Sequence, residues 1–177
     1  YDSSFGWRFI NPEIEKMYGT EAMGKTAENL AEMYQISREE QDEFALSSQL
    51  KAKKAQESGR LAEEISDVMI PQRKGEPIVI NEDEFIKPKS SMEILGKLKP
   101  AFVKENGTVT AANASTLNDG ASALILMSKE KMQELGLKPL AKIISYADAA
   151  VEPERFTTAP SKALPIALKK ANLTKDD

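Results

Sequence analysis

Apolar residues recur at helical spacing in two adjacent stretches of the first third of the chain. A first helix is predicted to begin at residues 22–25, because the spacing i, i+3, i+4 and i+7 is typical of one buried helix face. That face consists of Ala27, Leu30, Ala31 and Tyr34. Ser37 and Glu40 have capping-box spacing, and Gly59 is a typical helix end, so a second helix is predicted between them. Its inward face consists of Phe44, Ala45, Ser48, Ala52 and Ala55. We therefore predict an antiparallel helix pair over residues 23–58.

Shorter apolar runs predict strands. Residues 65–72 alternate in part, and the Ile-Val-Ile run at 78–80 follows the turn residues 74–77, which predicts a β-hairpin. This hairpin is either an interaction arm at an oligomer surface or a solvated hairpin. Residues 121–127 are almost continuously apolar and predict a strand covered on both faces, as in a parallel α/β sheet. Two more strands are predicted at 108–110 and 140–147.

Trp7 is predicted to anchor the entry to the fold. Helical signals also occur in shorter segments. The segments are 11–17 (Pro12 at the first helical position), 90–98 (Ser90 as cap) and 129–135 (Ser128 before it and Gly136 after it). A last helix follows a loop over 149–159, and its apolar face consists of Leu164, Ala167, Leu168 and Ala171. Its Pro165 fits only in the first turn. An α-rich part over 1–105 followed by alternating strands and helices is typical of the α/β class.

Composition excludes several functions. The chain has 177 residues, enough for one or two domains, and a net charge of −4, which argues against a nucleic-acid partner. It has no cysteine and no histidine, so disulfides, thiolate or imidazole metal sites and Cys–His or Ser–His nucleophilic pairs are excluded. No metal site is predicted. No apolar run reaches the ~20 residues that cross a bilayer, and no signal-peptide pattern is present, so we predict a cytoplasmic protein.

Residues 111–120 are small or carry side-chain amides, and they lead into the apolar run 121–127. Such a loop either holds a ligand close to the backbone or makes a tight connection within a core.

The run from Thr108 to Ala123 resembles the Asn-Ala-Ser-Gly-x-Asn-Asp-Gly-Ala signature of the thiolases, CoA-dependent enzymes that make or cleave 3-ketoacyl-CoA. Thr116 stands where the family usually has glycine, and Ala112 where it often does. Five further blocks are similar to thiolase segments and occur in thiolase order: residues 6–9, 23–29, 37–42, 72–75 and 98–102. The resemblance therefore covers nearly the whole chain.

The resemblance implies an α/β thiolase-fold segment with three parts. Residues 1–105 are similar to the loop domain that covers CoA, 106–137 to the end of the N-terminal half, and 138–177 to the start of the C-terminal half. Thiolases use a cysteine nucleophile, an activating histidine and a second cysteine as acid and base. Because the chain has neither residue type, it is expected to be an internal piece without catalytic residues, inactive on its own.

For the parent protein the resemblance implies an acetyl-CoA C-acetyltransferase. Such an enzyme interconverts acetyl-CoA and acetoacetyl-CoA by reversible Claisen condensation through an acyl-cysteine intermediate, as in fatty acid metabolism. Acyl-CoA is then a substrate, with no covalently bound cofactor, and a homodimer or homotetramer is expected. Two alternatives stay open: a degradative 3-ketoacyl-CoA or 3-oxoadipyl-CoA thiolase, and a non-catalytic acyl-CoA-binding or assembly module.

The resemblance also assigns residues to the CoA tunnel. Ser115 hydrogen-bonds a pantetheine amide, and Ala111 is small enough to let the arm pass. Met23 packs beside the thioester, and Lys87 meets the adenine or phosphate end. The apolar walls are Phe102, Leu117 and Ile14. Alternatives are a turn hydroxyl bonded to its own backbone for Ser115, a core position for Met23, and an exposed lysine without a role for Lys87.

Overall fold

The computed structural model describes residues 8–177 and divides into two compact units. One unit is Ala22–Thr116, and the described part of the other is 8–21 together with Leu117–Asp177. The prediction for Trp7 lies outside the described residues. The division into three parts at 105 and 137, which rests on the family resemblance, stays a prediction.

Among the described residues the chain forms six α-helices, one 3₁₀ helix and one two-stranded sheet. The helices are α1 (Pro12–Tyr18), α2 (Met23–Tyr34), α3 (Arg38–Glu57), α4 (Met92–Gly96), α5 (Lys129–Glu134) and α6 (Ala159–Ala171). The strands are β1 (Val68–Ile70) and β2 (Ile78–Ile80), and the 3₁₀ helix is Pro153–Thr158. None of the described helices is long and apolar enough to cross a membrane.

The capping box predicted for α3 is confirmed. The Ser37 hydroxyl accepts a hydrogen bond from the Glu40 N–H at 3.1 Å, and the Glu40 carboxylate accepts one from the Ser37 N–H at 2.8 Å. These bonds lower the pKa of Glu40, the backbone bond most of all. The helix stops where Gly59 adopts a φ of +78°, a conformation that favours glycine.

The predicted packing of α2 on α3 is wrong. α3 packs along α4. Among the described residues, α2 and α3 do not pack against each other to a comparable extent. Phe44 is 79% exposed and Tyr34 is 60% exposed, although both were predicted to face inward. Ser48 is exposed as well. The buried residues of α2 and α3 are mostly polar, because these helices hold a loop through hydrogen bonds: Thr26, Glu28, Ala31 and Asp42.

The predicted hairpin is confirmed, with a shorter first strand. β1 and β2 pair antiparallel in the register Val68↔Ile80, Met69↔Val79 and Ile70↔Ile78. Side chains on both faces are exposed to solvent, including Met69 at 54% and Ile78 at 51%. The hairpin is therefore an apolar ribbon rather than part of a core.

The strands predicted at 108–110, 121–127 and 140–147 do not form among the described residues. Leu124 and Ile125 are 84% and 86% exposed, which contradicts a strand covered on both faces. A strand requires a hydrogen-bonded neighbour, and burial requires covering elements. The described residues supply neither for these segments.

The shorter helices differ from the prediction in detail. α1 forms with Pro12 at its first position and α5 forms with Ser128 as its cap, as predicted, but Ser91 caps α4 instead of Ser90. α6 begins at Ala159, so Pro165 lies inside the helix rather than in its first turn. The predicted loop before α6 contains the 3₁₀ helix. The Ser145 hydroxyl donates to the Ala167 carbonyl at 2.7 Å, which ties the preceding segment to α6.

Candidate functional site

The small-residue loop of the unit Ala22–Thr116 contains a hydrogen-bonded turn. The Ala114 N–H donates to the Thr110 carbonyl at 3.0 Å. The Thr110 hydroxyl, fully buried, accepts from the Ala112 and Asn113 N–H groups at 3.2 and 3.3 Å. Ala111 lies within this turn and Ser115 directly follows it, and both are exposed. Thr110 thus stabilises the turn, and the Ser115 hydroxyl makes no hydrogen bond within residues 8–177.

Glu28 of α2 holds the segment that leads into this turn. Its carboxylate accepts from the Thr108 N–H and the Val109 N–H at 2.9 Å, and from the Thr108 hydroxyl at 2.8 Å. The Glu28 residue is 7% exposed, and Val109 is 4% exposed. A buried carboxylate with three donors is satisfied and fixes the backbone of 108–109.

These bonds also set the ionisation of Glu28. Burial, the largest single influence, raises the pKa of the carboxyl group. The hydrogen bonds from Val109 and Thr108, together with the positive charge of Lys25, outweigh burial and hold the pKa below its ordinary value of 4.5. Glu28 is therefore ionised at neutral pH.

The lowered pKa of Glu28 makes stability depend on acid pH. A carboxyl group whose pKa is lowered on folding contributes its full stabilisation above its unfolded value of 4.5. That contribution is lost as the pH falls through the lower pKa of the folded state. We expect the melting-temperature gap between the wild-type protein and Glu28→Gln to be constant near neutrality and to narrow below pH 4.5. Thermal unfolding across that range measures the gap, and a gap that widens toward acid contradicts the prediction.

Asn113 joins the turn to α3. Its Nδ2 donates to Oδ1 of Asp42 at 2.9 Å and to the Thr108 carbonyl at 2.9 Å, and its Oδ1 accepts from the Thr110 N–H at 2.7 Å. Asp42 is 2% exposed and also accepts from Nε of Arg38 at 2.8 Å. The turn is thus held by α2 at one end and by α3 at the other.

Met23 and Phe102 lie beside this loop. The Phe102 ring occupies the space that a β-carbon at Gly24 would need, so it packs against the first turn of α2, next to Met23. The Ala101 N–H donates to the Val109 carbonyl at 2.9 Å, which joins the segment carrying Phe102 to the same loop. Met23 is 70% exposed, which argues against the alternative of a core position.

The other predicted tunnel residues are Lys87, Leu117 and Ile14. Lys87 is exposed, and its ammonium group lies 5.2 Å from the centre of the Phe85 ring. Its N–H donates to Oε1 of Gln49 on α3 at 2.8 Å, which fixes the backbone of Lys87. Leu117 and Ile14 belong to the other unit, where Leu117 is 65% exposed and Ile14 is half-buried.

Sequence reasoning missed the residues that hold the turn. Glu28 and Asp42 lie within blocks 23–29 and 37–42, whose likeness to thiolases was noted, but neither was given a role. No local signal distinguishes them from solvated acidic residues, because their partners in the loop lie 71 to 81 positions further along the chain. No group of three or more metal-binding side chains occurs among residues 8–177.

The small-residue turn presents Ala111 and Ser115 at the surface, and the segment that carries Phe102 is hydrogen-bonded to the residue just before the turn. Comparison with known proteins identifies the family of the chain. The family model described as "Thiolase, N-terminal domain" matches residues 8–130. The chain is 49% identical over 175 residues to a beta-ketoadipyl-CoA thiolase of Acinetobacter baylyi, covering 99% of the chain and 43% of that protein. It is 52% identical over 161 residues to an acetyl-CoA acetyltransferase of Cupriavidus necator, covering 91% and 41%.

The fold comparison agrees. The crystal structure of the Bacillus anthracis acetyl-CoA acetyltransferase superposes with a TM-score of 0.86 at 40% sequence identity, over 99% of this chain and 45% of that one. The chain therefore belongs to the thiolase family and has the fold of a thiolase segment, which confirms the predicted family and α/β class. It spans less than half the length of these relatives.

Proposed function

We propose that the whole protein is a thiolase acyltransferase acting on CoA thioesters, and that the unit Ala22–Thr116 contributes one wall of its CoA site. Family membership supports the reaction class. The observation that carries the site is the turn at 110–114, which exposes Ala111 and the following Ser115, is held by buried carboxylates and is joined to the Phe102 segment.

The wall has the chemistry that a pantetheine arm requires. The exposed Ser115 hydroxyl is available to an amide of the arm, and Ala111 leaves room for it to pass over the backbone. Met23 and Phe102 present apolar surface to the methylene groups. Lys87 would supply positive charge to a phosphate. Leu117 and Ile14 stay predictions as further apolar walls.

The acyl transfer itself requires residues from elsewhere in the whole protein. A cysteine there would attack the thioester of one acetyl-CoA and release CoA. A base would take an α-proton from a second acetyl-CoA, and the resulting carbanion would attack the acyl-cysteine, form the new carbon–carbon bond and release the cysteine thiolate. Because this chain contains no cysteine or histidine, its role is to bind and orient the substrate. We propose a homodimer or homotetramer in the cytoplasm as the working form.

Two substrates are proposed in order. Acetyl-CoA with acetoacetyl-CoA comes first, because acetyl-CoA acetyltransferases are among the most similar relatives and solved structures. 3-Oxoadipyl-CoA is the second candidate, since the likeness to the Acinetobacter baylyi beta-ketoadipyl-CoA thiolase extends over 99% of the chain.

A direct assay tests the proposed function. We expect the whole protein to consume acetoacetyl-CoA in the presence of CoA, and the 177-residue chain alone to show no turnover. Titration calorimetry of CoA into each separates binding from catalysis. CoA binding by the whole protein without turnover of either 3-ketoacyl-CoA would favour the alternative of a non-catalytic acyl-CoA-binding module.

A further inference from the structure

We propose that Asp42 is a positioning residue for CoA recognition, acting through Asn113 on the turn that carries Ala111 and Ser115. This inference rests on the proposed function, because it assigns a role to a residue behind the proposed CoA wall. Asp42 lies on α3, 71 residues before Asn113 in the sequence, and its side chain is 2% exposed.

The orientation of the Asn113 amide follows from its partners. The Thr110 N–H requires an acceptor, so Oδ1 faces it, and Nδ2 then faces the Asp42 carboxylate and the Thr108 carbonyl. Both hydrogens of Nδ2 are used. The side chain therefore crosses the turn and fixes it to the helix behind it.

Asp42 must be an acceptor on both of its sides. Nε of Arg38 donates to one carboxylate oxygen and Nδ2 of Asn113 to the other. Arg38 is itself fixed, because its Nη2 donates to the carbonyls of Leu95 and Leu98 at 2.7 and 3.1 Å. An asparagine at position 42 has only one acceptor oxygen, so its NH₂ group would face one of the two donors.

The consequence falls on substrate binding rather than on chemistry. Loss of the Asn113 bond frees the turn, and the exposed Ser115 hydroxyl and Ala111 backbone then leave the positions that the CoA arm requires. A displacement of about 1 Å in a binding group lowers activity by up to ~100-fold. Because the reacting groups lie elsewhere, the change should appear in KM for CoA, with kcat nearly unchanged.

The test is a pair of exchanges in the whole protein. In Asp42→Asn an amide NH₂ group can face the NH₂ group of Asn113. In Asn113→Asp two carboxylates face each other. The double exchange restores one donor facing one acceptor between positions 42 and 113, and Arg38 and the Thr110 N–H keep their acceptors, but the Thr108 carbonyl loses its donor. We expect each single variant to raise KM for CoA by about 10-fold or more with kcat changed less than about threefold, and the KM increase of the double variant to be smaller than the product of the two single increases.

Ser37→Ala is the control for a loss of stability that does not involve the turn. It removes the α3 cap without changing Asn113, so KM should stay unchanged while the melting temperature falls. If Ser37→Ala raises KM as much as Asp42→Asn, or the single variants leave KM unchanged, Asp42 does not position the turn. If Asp42→Asn does not fold, a double variant whose KM lies below that of Asn113→Asp still supports the inference, and a double variant whose KM is not lower overturns it.

The proposed function fails in a different way. Ser115→Phe places a ring in the proposed CoA path and does not alter the Asp42–Asn113 contact. A raised KM in Ser115→Phe with normal KM in the Asp42 variants overturns only the positioning role. A normal KM in Ser115→Phe and in the Asp42 variants contradicts the proposed CoA wall itself.

Discussion

Replacement of Glu28 by alanine lowers the free energy of unfolding by about 3 kcal/mol, the largest stability effect that we expect for a single residue of this unit. The carboxylate accepts from two N–H groups and one hydroxyl of Thr108 and Val109 in a site that water reaches poorly. Alanine leaves these donors without a partner, and an unsatisfied buried polar group costs about 1–3 kcal/mol. Denaturant titration of the protein measures the difference.

A matched control lies one helical turn further along α2. Glu32 is exposed, so Glu32→Ala should change the free energy of unfolding by less than about 0.5 kcal/mol. Glu28→Gln should fall between the two, because one oxygen is kept as an acceptor. Equal stability of the Glu28→Ala and Glu32→Ala proteins would mean that the 108–109 segment does not depend on this carboxylate.

Replacement of Ser115 by phenylalanine raises KM for CoA by at least about tenfold in the whole protein, the largest functional effect that we expect. The aromatic ring fills the space over the turn that the proposed path requires, and the hydroxyl is lost as well. Because Ser115 is exposed and makes no hydrogen bond within residues 8–177, stability should change little. Initial rates at varied CoA concentration, together with a melting curve, separate the two effects.

Ser48→Phe provides the control for adding a ring. Ser48 is an exposed residue of α3 in the same unit, six positions beyond the Asp42 that contacts the turn, and its replacement should leave KM unchanged. Unaltered kinetics in Ser115→Phe would show that the CoA arm does not pass this turn.

Features decided within a few residues could be predicted from sequence. Ser37 and Ser128 cap their helices by accepting from an N–H three residues on, and Pro12 begins α1 where no N–H is needed. The hairpin follows from turn residues between two apolar runs. In each case the stabilising contact lies close to the residue that signals it.

Features that depend on distant partners could not be predicted in this way. Residues 121–127 carry a strand pattern, but a pattern does not show whether a neighbouring strand is present to pair with it. Phe44 has the spacing of an inward residue, yet α3 turns its side chain to solvent. Ser91 caps α4 although Ser90 was the predicted cap. Two adjacent serines give the same local signal, so the sequence does not distinguish them.

The candidate site shows the same division. The resemblance drew attention to Ser115 and Ala111, and the structure shows both exposed beside one turn. It did not indicate that Glu28 and Asp42 hold that turn, since neither contact is local in sequence. An acidic side chain on an amphipathic helix has the same signal whether it is solvated or buried.

The Glu28 bonds join residues 80 positions apart in sequence, which bears on how the chain folds. Closing a loop of that length costs about 4 kcal/mol of chain entropy, whereas the turns of α2 and α3 close over four residues. The helices and the hairpin can therefore form before the 108–115 segment finds its place. We therefore expect the segment that we assign to CoA to find its place after α2 and α3 have formed, so that variants that slow the formation of these helices also delay the assembly of the proposed CoA wall.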